Sequence, residues 1–157
     1  MSKVSEILFF FVLVSFVHKQ GYTAYVCQDG WSGFGEDCYQ FLGEFEFIHA
    51  VTICANLGAN VLELQSSLEE KWVDLQCRIR DCLSGAWLGI SDLSEERKFL
   101  SVSQARPPQY LHWGWGELFD KNSGENCVAL SKRKRAWVTT SCLSKYNIVC
   151  KKPMSFI

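Results

Sequence analysis

Proline, histidine and net charge are scarce in this 157-residue chain, which has three prolines, three histidines and a formal net charge of −1. A near-neutral charge argues against a protein whose main role is to bind nucleic-acid phosphates, so we predict no nucleic-acid partner. The sequence also lacks internal repeats, low-complexity stretches and linkers rich in Pro, Gly and Ser. A chain of this length without such linkers is typical of one domain.

Catalytic motifs are also missing. The sequence has no His-Glu-x-x-His, no nucleophile elbow and no glycine-rich phosphate loop. Two of the three histidines, His49 and His112, lie beyond the N-terminal segment, and neither belongs to such a motif. We therefore predict a protein that is not an enzyme and has no catalytic residues.

Long hydrophobic runs are absent, because the longest apolar stretch, residues 7–17, has eleven residues. A membrane span needs roughly 20 residues, whereas a stretch of this length after a basic residue, here Lys3, is typical of a signal peptide. We predict a signal peptide over residues 1–24 and no membrane span; an uncleaved anchor is the alternative. The mature chain is then secreted, extracellular and oxidised.

Cysteine, by contrast, is abundant: the eight residues are an even number and more than a cytosolic protein of this length usually has. The predicted domain covers residues 25–153, followed by a short tail over 154–157. Residues 27–41 read as a short strand pair closed by Cys27 and Cys38. Phe47, Val51 and Cys54 recur at helical spacing and predict a helix that ends at Gly58.

A second helix is predicted to begin at Ser66 or Ser67, because Glu69 and Glu70 follow them at capping-box spacing. Leu68, Trp72 and Leu75 lie on one face of this helix. Short apolar segments predict strands at residues 61–64, 87–90, 99–102, 127–130, 136–139 and 146–150. Two helices followed by strands indicate an α+β domain. Some two dozen residues between the strands at 99–102 and 127–130 form a long loop, where we expect a binding site.

Several segments, in this order, resemble the C-type lectin-like domain. They are Gly30-Trp31, Cys38-Tyr39-Gln40-Phe41, Leu57-Gly58-Ala59, Trp87-Leu88-Gly89-Ile90, Gly124-Glu125-Asn126-Cys127-Val128, Trp137 with Cys142, and Ile148-Val149-Cys150. The resemblance implies two helices with small antiparallel sheets and a long loop, stapled by disulfides. By resemblance, Cys54 pairs with Cys150, Cys127 with Cys142, and Cys27 with Cys38.

Cys77 and Cys82 are left over from the family pattern. Their closeness in sequence predicts a local disulfide at the end of the second helix. The alternative is pairing between chains, which would produce a covalent homodimer.

In sugar-binding members of the family, the resemblance places a calcium ion on a Glu-Pro-Asn or Gln-Pro-Asp triplet, a later Glu, and an Asn-Asp pair after a tryptophan. The matching segments here are Glu117-Leu118-Phe119, Glu125 and Trp137-Val138-Thr139. Three oxygen-bearing ligands are therefore lost, and calcium affinity depends on the number and charge of the ligands. We predict that this primary calcium site is lost.

A second family site, for an auxiliary calcium ion, keeps more of its ligands. The matching residues are Asp92, Glu96, Asp120, Glu125 and Asn126. Four carboxylates close together would repel one another without a cation, which favours calcium there. Solvated surface acids are the alternative.

The long loop also carries aromatic residues that suggest how a partner is bound. Trp115 and Phe119, with Glu117 and Glu125, are the predicted ligand-binding residues of the loop. Packing within the loop is the alternative for the aromatics.

The one dense run of charge lies between two predicted strands. It forms a predicted basic patch of four residues, Lys132, Arg133, Lys134 and Arg135. Such a patch suits sulfated glycans, anionic lipids or acidic proteins. A solvated hairpin tip is the alternative.

The sequence therefore predicts a secreted recognition protein that binds an extracellular glycan or protein through the long loop, without the usual calcium-bridged sugar. A carbohydrate-binding lectin of defence or self-recognition is the alternative.

Overall fold

A computed structural model describes residues 25–117 and 124–156 of the chain. The predicted signal peptide lies outside the described residues. Within these residues the architecture is α+β, as predicted, with two helices and ten short strands. Helix α1 covers Phe47–Asn56 and helix α2 covers Ser67–Ile79. The strands are β1 (Tyr25–Val26), β2 (Ser32–Phe34), β3 (Asp37–Phe45), β4 (Asn60–Val61), β5 (Gly85–Ser91), β6 (Leu100–Ser101), β7 (Cys127–Ser131), β8 (Ala136–Thr140), β9 (Tyr146–Pro153) and β10 (Ser155–Phe156).

The main sheet has the strand order β2-β3-β9-β5-β7-β8, with β4 paired to β9 and β6 paired to β5. All of these pairs are antiparallel except β5 with β9. Two strands form a separate small sheet, in which Tyr25 of β1 lies opposite Phe156 of β10. The residues that the sequence assigned to a tail therefore pair with the beginning of the domain.

Helix α1 ends as its sequence predicts. The last helical residue is Asn56, and Gly58 follows with a φ of 64°, a left-handed conformation that glycine adopts without strain. Its buried face, formed by Phe47, Ala50 and Cys54, packs on the sheet.

Helix α2 begins at the predicted cap, because the Ser66 hydroxyl accepts a hydrogen bond from the Glu69 N–H at 3.1 Å. Such a cap is worth about 1 kcal/mol. The predicted apolar face is wrong in part: Leu68 and Leu75 are more than half exposed. The buried face instead carries Glu69, Glu70, Val73 and Cys77.

The core lies on both sides of the sheet. Trp87 and Trp137 are its largest fully buried side chains, one in each of two apolar clusters. Two predicted strands are shorter in the structure: residues 61–64 form a strand only at Asn60–Val61, and residues 99–102 only at Leu100–Ser101. Beyond Val61 the chain passes between β9 and β5 instead of continuing as a strand. The Leu62 N–H donates to the Val149 carbonyl of β9, and the Leu62 carbonyl accepts from the Gly89 N–H of β5.

Three disulfides join Cys27 to Cys38, Cys54 to Cys150 and Cys127 to Cys142, the pairs that the resemblance implies. The Cys54–Cys150 bridge closes a loop with a sequence separation of 96, which the chain-entropy model values at about 4 to 5 kcal/mol. The predicted Cys77–Cys82 bridge is absent, and both residues are buried thiols. In the described part of the chain, no helix is long and apolar enough to cross a membrane.

Candidate functional site

The base of the long loop is held against strand β8 by backbone hydrogen bonds. The Trp137 N–H donates to the His112 carbonyl at 2.8 Å, and the Gly114 N–H donates to the Trp137 carbonyl at 2.9 Å. A Cβ at Gly114 would lie 3.3 Å from the Trp137 carbonyl oxygen and 3.0 Å from the Glu117 side chain, so a larger residue would disturb this contact. The loop therefore leaves the domain from a defined position.

Two tryptophans of the loop base have opposite environments. Trp113 packs between the rings of Phe99 and Trp137, with centroid distances of 5.2 and 5.8 Å. Trp115 is fully exposed. Trp115 therefore does not pack within the loop, which was the alternative for the aromatic residues. Phe119, the other predicted aromatic contact, lies outside the described residues.

The carboxylate of Glu117 is occupied by a lysine. Lys134, in the turn between β7 and β8, forms an ion pair with Glu117 Oε1. The Glu117 side chain is only 14% exposed, while that of Lys134 is 45% exposed. A bound ammonium neutralises the charge that Glu117 would offer to a calcium ion.

The other residues of the primary calcium position are also engaged. The Thr139 hydroxyl donates to Glu125 Oε2 at 3.2 Å, so Thr139 acts as a donor to the carboxylate rather than as a free ligand. Val138 is buried and has no side-chain oxygen. In residues 25–117 and 124–156, no group of three or more His, Cys, Asp or Glu side chains could hold a metal ion.

At the auxiliary calcium position, two buried oxygens have no hydrogen-bond partner among the described residues. These are Asp92 Oδ1 and Asn126 Oδ1. The two segments are in contact, since the Asp92 N–H donates to the Asn126 carbonyl at 3.2 Å. Asp92 Oδ2 accepts from the Arg97 N–H at 2.8 Å. Of the other predicted ligands, Glu96 is exposed and Asp120 lies outside the described residues.

A buried carboxylate that the sequence analysis missed lies under the loop. Glu70 accepts from the Trp137 indole at 3.1 Å and contacts His112 Nδ1 at 2.6 Å. Burial, together with the nearby Glu70 charge, raises the pKa of Tyr110 to about 12. In the sequence, Glu69 and Glu70 indicate only a helix cap. Nothing in that pattern predicts that both side chains are buried.

The two thiols lie at the C-terminus of α2. The Cys82 N–H donates to the Cys77 carbonyl at 2.9 Å around Asp81, whose φ is 54°. This is the bond pattern of a Schellman motif, which brings the first and last side chains of the turn into contact. A hydrogen bond between the thiols raises the pKa of Cys77 and lowers that of Cys82.

The predicted basic patch lies at the exposed tip of the β7–β8 hairpin. Lys132 and Arg133 are exposed in the turn. Lys134 turns toward the long loop, and Arg135 lines a cavity beside α2. Lys132 lines a neighbouring cavity on the same side as that of Arg135, and Arg133 is exposed at the tip of the hairpin. The four-residue basic patch stays a prediction.

Backbone hydrogen bonds fix this turn. The Arg135 N–H donates to the Ser131 carbonyl at 2.7 Å, and the Lys134 N–H donates to the Ser131 hydroxyl at 3.3 Å. Arg135 adopts a left-handed backbone with a φ of 51°. This turn places Lys134 beside Glu117 and Arg135 beside helix α2.

Comparisons with known proteins agree on one family. The family model described as "Lectin C-type domain" matches residues 44–152. Snaclec 3 of Daboia siamensis is 29% identical over 152 residues, which cover 90% of this chain and 93% of that protein. Lymphocyte antigen 75 of Mus musculus is 28% identical over 134 residues. Those residues cover 82% of this chain but only 8% of that protein, so the chain spans a small part of it.

Among solved structures, the cow C-type carbohydrate-recognition domain of CD23, studied in the presence of a GlcNAc2Man3 oligosaccharide, has a TM-score of 0.73. It is 28% identical, and the match covers 84% of this chain and 99% of that one.

Proposed function

This chain belongs to the C-type lectin domain family, and on that premise we propose that it is a secreted, extracellular recognition protein that does not bind sugar through a calcium bridge. Members of the family are non-enzymatic binding proteins, and the chain is accordingly a binding protein rather than an enzyme, as predicted. The partner in this proposal is an extracellular glycan or protein. Its contact surface is the long loop around Trp115.

The observation that carries the proposal is the Glu117–Lys134 ion pair. In the sugar-binding arrangement that the resemblance implies, Glu117 would give its carboxylate to calcium, and the ion would in turn hold two sugar hydroxyls. Here the carboxylate is neutralised by an ammonium group from the neighbouring hairpin. Calcium would have to displace Lys134 and would then find few further oxygens, because Thr139 donates to Glu125 and Val138 has none.

The exposed Trp115 supports a contact role for the loop. A tryptophan at an interface supplies a large apolar area together with an indole N–H, and such residues often dominate binding energy. No core packing requires this side chain, since it is fully exposed. We therefore expect that Trp115→Ala weakens partner binding and leaves the melting temperature unchanged.

The experiment is a glycan array, with mannose-, galactose- and fucose-terminated probes, run first in millimolar calcium and then in excess chelator. We expect no calcium-dependent signal from any of these terminal sugars. A signal that disappears with chelator and with Glu117→Gln, while Lys98→Gln retains it, would overturn the proposal in favour of the calcium-dependent lectin. Lys98 is a suitable control because it is exposed and paired with Glu95 rather than with a residue of the primary calcium position.

We also propose an auxiliary calcium ion that stiffens the loop, at the position that the resemblance assigns to Asp92, Glu96, Asp120, Glu125 and Asn126. The support is the pair of buried oxygens without partners, because a buried acceptor that lacks a hydrogen bond costs about 1 to 3 kcal/mol, and a cation would remove that cost. Calcium at a hundred times its Kd would add about 2.7 kcal/mol to the unfolding free energy.

The melting temperature should therefore rise by several degrees between chelator and millimolar calcium in the wild-type chain. It should not change in Asp92→Asn. An equal melting temperature with and without calcium in the wild type excludes the ion.

A further inference from the structure

A charged groove runs between helix α2 and the β7–β8 hairpin, on the side of the domain next to the loop base. One wall is the helix face formed by Ser67, Lys71, Asp74 and Arg78, which recur at intervals of four, three and four residues. Such spacing keeps all four on one side of a helix. The eleven steps from Ser67 to Arg78, at about 1.5 Å each, make this wall about 16 Å long.

The hairpin forms the opposite wall. Ser131 and Arg135 line the main part of the groove, a cavity of about 330 Å³. Lys132 lines a much smaller cavity of about 10 Å³ beside it, and Leu130 and Asp74 lie between the two. Tyr110 and His112, from the loop base, close the wider end.

Among the charged side chains of this groove, those without a partner of opposite charge are positive. Its lining contains four basic side chains, namely Lys71, Arg78, Lys132 and Arg135. Its two carboxylates are already engaged. Glu70 is held by His112 and by the Trp137 indole, and Asp74 forms an ion pair with Arg78. Lys71, Lys132 and Arg135 are exposed cations with no acidic partner within the described residues.

We propose that this groove binds a sulfated glycan chain. Sulfate groups carry a permanent negative charge and accept hydrogen bonds from guanidinium and ammonium groups, which here stand on both walls. Tyr110, which is partly exposed, supplies aromatic surface against which a sugar ring can pack. A narrow groove with cations on two sides suits a linear chain better than a flat lipid surface. Because the whole chain has a net charge of −1, its overall charge does not attract polyanions, and binding of a sulfated chain would have to come from the local cations of the groove.

This inference does not depend on the long-loop proposal, because the groove and the exposed Trp115 are separate surfaces. The two can therefore fail independently: Trp115→Ala should leave groove binding unchanged, and loss of groove cations should leave binding at the loop unchanged.

The test is binding of size-defined heparin oligosaccharides to the full chain, measured by calorimetry and by the salt concentration that elutes the protein from a heparin column. The groove variants are Lys71→Gln, Lys132→Gln and Arg135→Asn; asparagine is used because it tolerates the left-handed backbone at that position. We expect each to weaken binding roughly fivefold, the effect of about 1 kcal/mol from one exposed charge pair.

Two matched controls separate the groove from net charge. Lys134→Gln removes a cation from the same hairpin turn, but one that Glu117 already neutralises. Lys145→Gln removes an exposed cation from the turn before β9, outside the groove. Both should bind within about twofold of the wild type, because screened charges at a distance contribute little.

Three results would overturn the proposal. Equal losses in the control and groove variants would mean that binding follows net charge. Retention of binding by desulfated oligosaccharide would exclude sulfate as the recognised group. Equal binding of phosphatidylserine vesicles or single-stranded DNA, with the same dependence on Lys71 and Arg135, would make the partner a lipid surface or a nucleic acid instead. Circular dichroism of each variant should match the wild type.

Discussion

Lys134 and Glu117 are separated by 17 positions in sequence and form an ion pair where the β7–β8 hairpin meets the base of the long loop. The lysine occupies the carboxylate that a calcium-dependent sugar site would require. It thereby links the basic hairpin turn, which also carries the exposed Lys132 and Arg133, to the loop. The ion pair therefore fixes the hairpin turn to the base of the loop.

The first prediction concerns the strength of this pair. Glu117 is mostly buried but Lys134 is nearly half exposed, so solvent screens the interaction. A double-mutant cycle with Glu117→Gln and Lys134→Met should yield a coupling free energy of about 0.5 to 1 kcal/mol in urea unfolding, and less in high salt. A coupling near zero in low salt would mean that the pair does not persist in solution.

The difference between what the sequence predicts and what it misses has a physical cause. Local signals are reliable here: Ser66 begins α2 and Gly58 follows the end of α1, because caps depend on a few neighbouring residues. The same signals cannot identify the buried face of α2. Leu68 and Leu75 are apolar but exposed, while Glu69 and Glu70 are buried because partners distant in sequence satisfy them.

In the candidate site as well, the sequence identifies individual residues but not their contacts. Family spacing points to Glu117, Glu125 and Asp92 as site residues, but it contains no information on their partners. Lys134 reaches Glu117 only because β7 and β8 pair in a particular register, with Ser131 opposite Ala136. Such a contact depends on tertiary structure and has no signature in either segment alone.

The second prediction concerns the two cysteines that have no bridge. Because Cys77 and Cys82 are buried thiols, a thiol reagent should detect none in the native protein and two per chain in denaturant without reductant. Cys77→Ala and Cys82→Ala should each remove one of the two. If the denatured wild-type chain has no reactive thiols, Cys77 and Cys82 form the local disulfide in solution. That result would contradict the two free thiols of the structure.

The third prediction concerns Glu70. Removing its side chain leaves the buried Trp137 indole without its acceptor, which should lower the unfolding free energy by about 1 to 3 kcal/mol in Glu70→Ala. Glu70→Gln keeps an acceptor oxygen for the indole and should lose less. Glu95→Gln, at an exposed position, is the matched control and should stay within about 0.5 kcal/mol of the wild type. Equal stability of the alanine and glutamine variants would show that the indole hydrogen bond contributes nothing.

The last prediction concerns stability at alkaline pH. Burial and the neighbouring Glu69 raise the pKa of Tyr39, whose hydroxyl donates to Glu69 at 2.7 Å, and the pKa of Tyr110 is raised to about 12. Both phenols therefore hold their protons more tightly in the folded chain than in the unfolded chain, where tyrosine has a pKa of about 10. Their contribution to stability is complete below about pH 10 and is lost as the pH rises toward the folded values.

We expect the unfolding free energy to fall between about pH 10 and pH 12, and the fall to be shallower in Tyr110→Phe, which has no proton to lose. Tyrosinate absorbance should show that Tyr39 ionises only when the chain unfolds. Ionisation of Tyr39 and Tyr110 near pH 10 in the folded protein would contradict the raised pKa of both phenols.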